Sequence, residues 1–300
     1  MDQSEATRIA KDAHPAGDAR WRASLSLGYA HRDGATVPVR RVHEGPLRIQ
    51  RGFLPEGPQT WHQVVVHPPG GVASGDALSI EIDAQAGAHV LLTSPGAAKW
   101  YRARPPRADR PIDSLEARQT VRIQVRENAC VEWLPLENIV FDGASASWRT
   151  RVDLAAGAAW IGAELVCLGR PASEERFERG ALRWRTEIHR DGRLLFHEQA
   201  LLRGGDRLLE SPAGLGGAPA YGSLLAVAPR ALAEDAALLA ALRAIDAPGE
   251  IAVTALPDLV AVRWRGAQAQ EGWRALRAAW ALLRPEVCGR VACSPRIWNT

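Results

Sequence analysis

The sequence predicts a mainly β fold, with β-helix-like stacked sheets and a small helical pair in the C-terminal third of the chain. Apolar and polar residues alternate along Leu78–Asp83 and Val121–Arg126, which is typical of half-buried strands. A corner in which glycine or asparagine precedes alanine recurs at residues 87–88, 128–129 and 157–158. Because glycine and asparagine tolerate the positive φ of a tight corner, this loose repeat indicates one supersecondary unit used several times.

Strands are predicted along most of the chain before residue 203. Each is a run of alternating or continuously apolar residues bounded by turn-forming residues. No stretch after residue 20 has the composition of a linker, so we expect residues 21–300 to form a single domain. Residues 1–20 are small, polar and charged, and we expect a disordered tail there. The remaining predicted strands are Ser24–Tyr29, Val37–Val42, Leu47–Arg51, Gln63–His67, Arg149–Leu154, Trp160–Leu168, Leu182–His189 and Leu194–Leu202.

Two segments late in the chain have helical periodicity. Pro229–Ile245 is rich in alanine and leucine, with leucines near a 3.6-residue period. In Glu271–Leu283 the apolar residues recur at i, i+3, i+7 and i+10, and Pro285 is expected to end that helix. These segments are the predicted helical pair.

Composition excludes several classes of protein. The 300 residues are 46% hydrophobic and 24% charged, which describes a globular chain with enough apolar material for a core. The 37 basic and 34 acidic residues leave a net charge of +3, so a dedicated nucleic-acid binder is not expected. No apolar run reaches the roughly 18 residues of a membrane span, and the N-terminus lacks the apolar core of a signal peptide. Four cysteines without a CxxC pair fit a reducing compartment. We therefore expect a soluble, cytoplasmic protein.

The common catalytic motifs are absent from the sequence. Gly71–Gly75 has the wrong spacing for a G-x-S-x-G nucleophile elbow, and Lys99 follows alanine rather than the glycine of a phosphate-binding loop. His197 precedes a glutamate, but the second histidine of H-E-x-x-H is missing. These absences predict a protein that is not an enzyme and has no tightly bound cofactor.

Two loops carry candidate functional residues. The first runs from His67 to Asp76 through two prolines and two glycines, and it is either a rigid connection with an Asx-type turn or a shaped loop that presents an imidazole and a carboxylate. The second is dense in residue types that anchor protein interfaces, although an ordinary loop at the edge of the core is an equal alternative. Its candidate contact residues are Lys99, Trp100, Tyr101 and Arg102.

Two carboxylates lie within apolar segments. Glu132 and Glu164 must be paired, hydrogen-bonded or neutral if they are buried, because an isolated buried charge is costly. One of the many arginines is the simplest structural partner. The alternative is a water-filled passage that holds a divalent cation weakly, to which His62, His67 and His89 could contribute. Cys288 and Cys293 are poorly spaced for a metal pair.

Several strings taken together resemble the UreD family of urease accessory proteins, called UreH in some organisms. Each string is short, but their order and spacing from about residue 21 to the C-terminus are specific. The strings are GPLRIQR (45–51), LPEG (54–57), HPPGG (67–71), GD (75–76), LLTSPGA (91–97) with Lys99, Tyr101 and Arg102, EWLP (132–135), FDGA (141–144), LGR (168–170) and PRIW (295–298).

The resemblance implies a β-helix-like fold with a helical pair and a role as a scaffold chaperone. Members bind the helical accessory protein UreF, which recruits the GTPase UreG, and the assembly docks on apo-urease and helps nickel reach the active site. A nickel metallochaperone is then an indirect partner. A passage for transient Ni²⁺ has been proposed for the family interior, and the matching positions here are His67, Asp76, Glu132, Glu164 and Glu175.

Two alternatives to a nickel-transferring scaffold remain open. In one, the chain is a pure interaction platform whose buried acids are structural, with partner contacts in the helical pair and in the C-terminal segment that contains Arg296 and Trp298. In the other, more remote alternative, the chain is a β-solenoid glycoside hydrolase with two carboxylates in an open cleft.

Overall fold

The computed structural model describes residues 21–104 and 116–299, so the predicted tail at residues 1–20 lies outside the described residues. The described chain is mainly β, as predicted. Its strands are β1 (Arg22–Arg32), β2 (Ala35–Glu44), β3 (Arg48–Ile49), β4 (Thr60–Val66), β5 (Gly71–Val72), β6 (Ala77–Ala84), β7 (His89–Thr93), β8 (Ala98–Trp100), β9 (Ala117–Val125), β10 (Cys130–Leu134), β11 (Asn138–Val140), β12 (Ser145–Leu154), β13 (Ala159–Leu168), β14 (Ala181–Arg190), β15 (Arg193–Arg203), β16 (Ala220–Val227), β17 (Glu250–Leu256) and β18 (Leu259–Gly266). Its α-helices are α1 (Arg207–Glu210), α2 (Ala236–Arg243) and α3 (Ala269–Cys288).

The described strands form two sheets, and the central strands of each sheet are parallel to one another. The seven-stranded sheet has the order β15-β14-β12-β9-β6-β1-β2, and the eleven-stranded sheet runs β17-β18-β16-β13-β10-β7-β4-β3. After the β1–β2 hairpin the chain passes alternately between the two sheets as far as β14, and neighbouring strands in the rows β1–β6–β9–β12–β14 and β4–β7–β10–β13 are all parallel. The remaining three strands of the eleven-stranded sheet, β5, β8 and β11, form a parallel branch that joins it through the pairing of β11 with β13. This is the β-helix-like arrangement that the sequence predicts.

The predicted corners are the repeated turns of this β-helix. Gly87, Asn128 and Gly157 have φ values of 72°, 56° and 68°, and each connects a strand of the seven-stranded sheet to one of the eleven-stranded sheet. The alanine after each corner residue donates its backbone N–H to the carbonyl three residues earlier, at 3.0 to 3.1 Å. Successive corners are stacked, since a Cβ on Gly157 would lie only 2.2 Å from Asn128 Oδ1. The corner interpretation is confirmed.

Antiparallel strands extend the parallel centre at both ends. β2 pairs with β1, and β15 pairs with β14. In the other sheet β16 pairs antiparallel with β13, and β18 and then β17 follow. The sequence interpretation assigned no strand after Leu202 and therefore missed β16, β17 and β18.

The helical pair is present, with different limits from those predicted. Helix α2 covers only the centre of Pro229–Ile245, because the Asp235 carboxylate accepts the backbone N–H of Leu238 and starts the helix there. Helix α3 continues beyond Pro285, so the prediction that this proline ends the helix is wrong. Pro285 lacks a backbone N–H, but its carbonyl still accepts the N–H of Gly289 at 3.0 Å, and the helix ends at that glycine, whose φ is 67°.

Two apolar layers hold the elements together. One fills the space between the sheets, where Ile80 and Ile123 of one sheet meet Val90 and Val131 of the other. The second lies between the outer face of the eleven-stranded sheet and helix α3, around Trp280. No helix among the described residues combines the length and apolar character needed to cross a lipid bilayer.

Candidate functional site

The two buried carboxylates predicted from the sequence lie on opposite faces of one sheet. Glu132 on β10 is level with Ile161 on β13, and both side chains face α3. Glu164 lies three positions after Ile161 and therefore points the other way, into the space between the sheets. The structure thus separates the two residues that the passage hypothesis placed together.

Glu132 is fully buried and paired. One carboxylate oxygen lies 2.8 Å from Nε2 of His89 and the other accepts the Trp280 indole N–H at 2.6 Å. Nε of Arg284 donates to both oxygens at 3.0 and 3.1 Å. Burial alone would raise the pKa of Glu132, but the hydrogen bond from His89 and the charge of Arg284 hold it below the usual range.

Arg284 connects Glu132 to a second carboxylate, Glu56. Its terminal nitrogens contact Glu56 Oε1 and Oε2 at 2.5 and 2.7 Å, and Nε2 of His62 lies 2.6 Å from Oε1. Burial opposes ionisation of Glu56, but these hydrogen bonds and the guanidinium charge lower its pKa to about 2. We call Glu56, His62, His89, Glu132, Trp280 and Arg284 the helix-docking network, because it joins α3 to the first turns of the β-helix. The sequence analysis missed Glu56 and Arg284.

One cluster of sulfur and nitrogen atoms borders the helix-docking network. His89 and Cys130 are level with each other on β7 and β10, and Cys288 is the last residue of α3. The ligand atoms of these three residues lie within 4.8 Å of one another. Within residues 21–104 and 116–299, this is the one group of three or more histidine, cysteine or acidic side chains close enough to share a metal ion.

Glu164 lies between two cavities inside the fold. The smaller, of about 40 Å³, is lined by Trp133, Trp148 and Trp160, and the larger, of about 480 Å³, is lined by Trp184. Burial raises the pKa of Glu164 to about 7, and no arginine or lysine within the described ranges forms an ion pair with it. A carboxylate of this kind changes between its neutral and charged forms near neutral pH.

A second glutamate lines both cavities. Glu198 on β15 adds to the raised pKa of Glu164 through its negative charge, and Arg263 donates to it at 2.7 Å. Two carboxylates in one open pocket are what the glycoside hydrolase alternative requires, but Glu198 is held in an ion pair.

His67 directly follows β4 and Asp76 directly precedes β6, and the two side chains are close enough for the Asp76 charge to act on His67. The Asp76 carboxylate accepts the backbone N–H of Ala73 at 2.8 Å and that of Trp21 at 3.2 Å. Both donors precede Asp76, whereas an Asx turn uses the N–H two residues after the aspartate, so the loop is a hydrogen-bonded connection of a different kind from the Asx-type turn considered above. Partial burial lowers the pKa of His67, and the nearby Asp76 charge opposes that shift. The backbone hydrogen bonds of Asp76 have a structural role.

Glu175 is also engaged in local structure. Its Oε2 accepts a hydrogen bond from Arg170 at 2.6 Å, and its Oε1 accepts the backbone N–H of Asp142 at 3.1 Å. The five predicted metal-binding residues therefore do not form one cluster. They fall into four places: the His67–Asp76 loop, the helix-docking network, the interior cavities and the Glu175 turn.

The predicted partner-contact residues differ in exposure. Lys99, Tyr101 and Arg102 are exposed, but Trp100 is fully buried and its indole N–H donates to Asn138 at 2.9 Å. Trp100 therefore contributes to the core rather than to a contact surface.

The C-terminal segment shows the same division. Arg296 is exposed, whereas Trp298 is 8% exposed and packs edge-to-face against Trp273 and Trp280. Its indole N–H donates to the Thr93 hydroxyl at 2.8 Å. Trp298 thus attaches the C-terminus to the sheet. Of the two predicted C-terminal contact residues, Arg296 is the one accessible to a partner.

Comparison with known proteins identifies one family over nearly the whole described chain. The family model described as UreD urease accessory protein matches residues 22–299. The chain is 46% identical over 283 residues to the urease accessory protein UreD of Azoarcus sp., covering 93% of this chain and 94% of that protein. It is 44% identical to the UreD of Pseudomonas fluorescens, covering 93% and 95%, and 40% identical to that of Methylobacillus flagellatus, covering 94% and 96%. This chain belongs to the UreD family of urease accessory proteins.

Proposed function

We propose that this chain is a non-catalytic scaffold for urease maturation in the cytoplasm. With UreF and the GTPase UreG it docks on apo-urease and enables nickel to enter the active site, and a nickel metallochaperone supplies the ion indirectly. The observation that carries this proposal is the match to the UreD family over residues 22–299, which includes both sheets and the helical pair.

Nickel passage is the finer part of the proposal, and Glu164 supports it. Its carboxylate lies between an open pocket and an interior cavity, and no described arginine or lysine neutralises it. Carboxylate oxygen binds Ni²⁺ less strongly than imidazole or thiolate does, so it suits an ion that must be released. Nickel is the cargo in this scheme and not a resident cofactor.

A platform without metal transit is the second candidate, and a specific observation favours it. Asp76, Glu132 and Glu175 each form hydrogen bonds or ion pairs within the protein. Using these acids as nickel ligands would break structural contacts, which restricts the proposed passage to the region of Glu164.

Partner contacts are assigned to exposed residues. Lys99 lies on β8, Tyr101 and Arg102 directly follow that strand, and Arg296 lies at the C-terminus. Aromatic and arginine side chains are enriched among the residues that dominate binding energy at interfaces, which supports this choice.

Co-expression with the urease structural and accessory genes tests both parts of the proposal. Urease activity and urease-bound nickel are measured without this chain, with the wild type, with Glu164→Gln and with the exposed control Glu127→Gln. We expect no activation without the chain, full activation with the control, and a severalfold loss of bound nickel with Glu164→Gln at unchanged co-purification with UreF. Full activation by Glu164→Gln would favour the platform, and activation without the chain would contradict the maturation role.

A further inference from the structure

We propose that His89, Cys130 and Cys288 form a binding site for a thiophilic divalent metal ion, best matched by Zn²⁺, which fastens the end of helix α3 to the β-helix. The ligands come from β7, β10 and the last residue of α3, so one ion would join three elements. This inference concerns the isolated chain and does not depend on the proposed function.

The positions of the donor atoms fit a single ion. The imidazole of His89 and the sulfur of Cys130 start from level positions on adjacent parallel strands, and Cys288 Sγ lies 2.9 Å from Cys130 Sγ. Zinc binds sulfur at about 2.3 Å, so two sulfurs on one tetrahedral zinc are about 3.8 Å apart. The thiols need to separate by only ~0.9 Å to admit the ion.

The surroundings of His89 also fit a metal ligand. A histidine bound to a metal usually donates its other ring N–H to a carboxylate or another oxygen, which fixes the tautomer. Here Nε2 lies 2.8 Å from Glu132 and Nδ1 lies 3.3 Å from the Thr60 hydroxyl. Whichever nitrogen binds the ion, the other keeps an oxygen partner.

The charge balance permits an ion beside the helix-docking network. When the ion binds, the Cys130 and Cys288 thiols and the ligating nitrogen of His89, where it is protonated, release their protons to solvent, and the two thiolates balance the charge of one divalent ion. The ion and its two thiolates together carry no net charge, and Glu56 and Glu132 keep their hydrogen bonds to Arg284. An uncompensated charge at this depth would be strongly destabilising.

The donor set distinguishes this site from the proposed nickel cargo site. Two sulfurs and one imidazole favour Zn²⁺ over the hard ions Mg²⁺ and Ca²⁺, which prefer oxygen. Glu164 offers oxygen and lies on the opposite face of the sheet. Cys288 is the half-buried last residue of α3, and water or a partner's side chain would complete the coordination there.

Titration of the purified, reduced and metal-free full chain tests the proposal. We expect one Zn²⁺ per chain in competition with a chromophoric chelator, and a thiolate-to-cobalt charge-transfer band with Co²⁺. Cys130→Ser and Cys288→Ser should each weaken Zn²⁺ binding by more than the roughly 100-fold that loss of an outer partner causes. Cys167→Ala, which removes a buried cysteine outside the cluster, should bind like the wild type and show the same Zn²⁺-dependent rise in Tm.

X-ray absorption on the zinc-loaded wild type avoids any effect of a variant on folding. A shell with two sulfur ligands is expected. An oxygen and nitrogen shell only, absence of the cobalt band, or unchanged binding by Cys288→Ser would each overturn the proposal. A Cys130–Cys288 disulfide in protein isolated under thiol-trapping conditions would also overturn it.

Discussion

Glu132 and Glu164 lie on adjacent parallel strands of the same sheet and project from opposite faces, so the same type of side chain has opposite electrostatic surroundings. Glu132 faces Arg284, which helps to keep its pKa below the usual range. Glu164 faces the interior cavities, and burial raises its pKa to about 7. The first carboxylate contributes to helix docking, and the second is the one available for a functional protonation or a cation.

Replacing Arg284 should destabilise the protein strongly. Arg284→Met leaves Glu56 and Glu132 buried without their cation, and breaking a buried pair in this way costs about 3–5 kcal/mol. Urea unfolding at pH 7, followed by tryptophan fluorescence, measures the change. Arg274→Met, at an exposed position of the same helix, is the control and should stay within about 0.5 kcal/mol of the wild type. Equal stability of the two variants would show that the network does not hold α3.

The stability of the protein should depend on the ionisation of Glu164. Its folded pKa of about 7 lies above the ordinary value of 4.5, so the folded state favours the proton and the free energy of unfolding falls as the pH rises from 4.5 through 7. Glu164→Gln removes this dependence and should become more stable than the wild type by up to ~3 kcal/mol at pH 8, with no gain at pH 4.5. Chemical unfolding across this pH range provides the comparison. Glu127→Gln should keep the wild-type profile, and a gain for Glu164→Gln that does not vary with pH would contradict the assignment.

A side chain at Gly157 should disturb the stacked corners. Gly157 and Gly192 both have positive φ, so alanine at either position costs about 1–2 kcal/mol of backbone strain. Only the alanine at Gly157 also collides, because its Cβ would lie 2.2 Å from Asn128 Oδ1, whereas no atom lies within 4 Å at Gly192. We expect Gly157→Ala to lower Tm clearly more than Gly192→Ala does in thermal unfolding. Equal losses would mean that Asn128 moves aside freely.

We expect the two C-terminal candidates to have different roles: Trp298 stabilises the fold, and Arg296 contacts a partner. Trp298→Ala removes a buried indole and its hydrogen bond to Thr93, with an expected loss of about 3–5 kcal/mol. Arg296→Ala should leave the free energy of unfolding within about 0.5 kcal/mol of the wild type, since the side chain is exposed. Urea unfolding and co-purification with UreF are measured together. Weaker co-purification of Arg296→Ala at unchanged stability supports a contact role, and unchanged co-purification contradicts it.

Local signals were sufficient to predict most of the β-helix. The corners at Gly87, Asn128 and Gly157 are recognisable because their conformation depends on one residue with positive φ. Strands β16 and β18 were missed because both faces are largely buried, so the period-two alternation disappears. Pro285 was misjudged because a proline in the last turn removes little helical bonding.

Pairing between distant residues could not be predicted in the same way. Burial of Glu132 and an arginine partner were both anticipated, but the identity of that arginine depends on how α3 packs on the sheet. The cysteine pair shows the same limit, because Cys130 and Cys288 are brought together only by the fold and their spacing in sequence carries no metal signature.

The contact between Glu56 and Arg284 spans 228 positions of the chain, and this has a consequence for biosynthesis. The ribosome releases Glu56 and Glu132 long before the helix that neutralises them, so a nascent chain cannot complete its charge pairing until its last turn of helix has emerged. Until then the apolar outer face of the eleven-stranded sheet is open to solvent and to chaperones. A chain that ends before α3 keeps that apolar face open permanently.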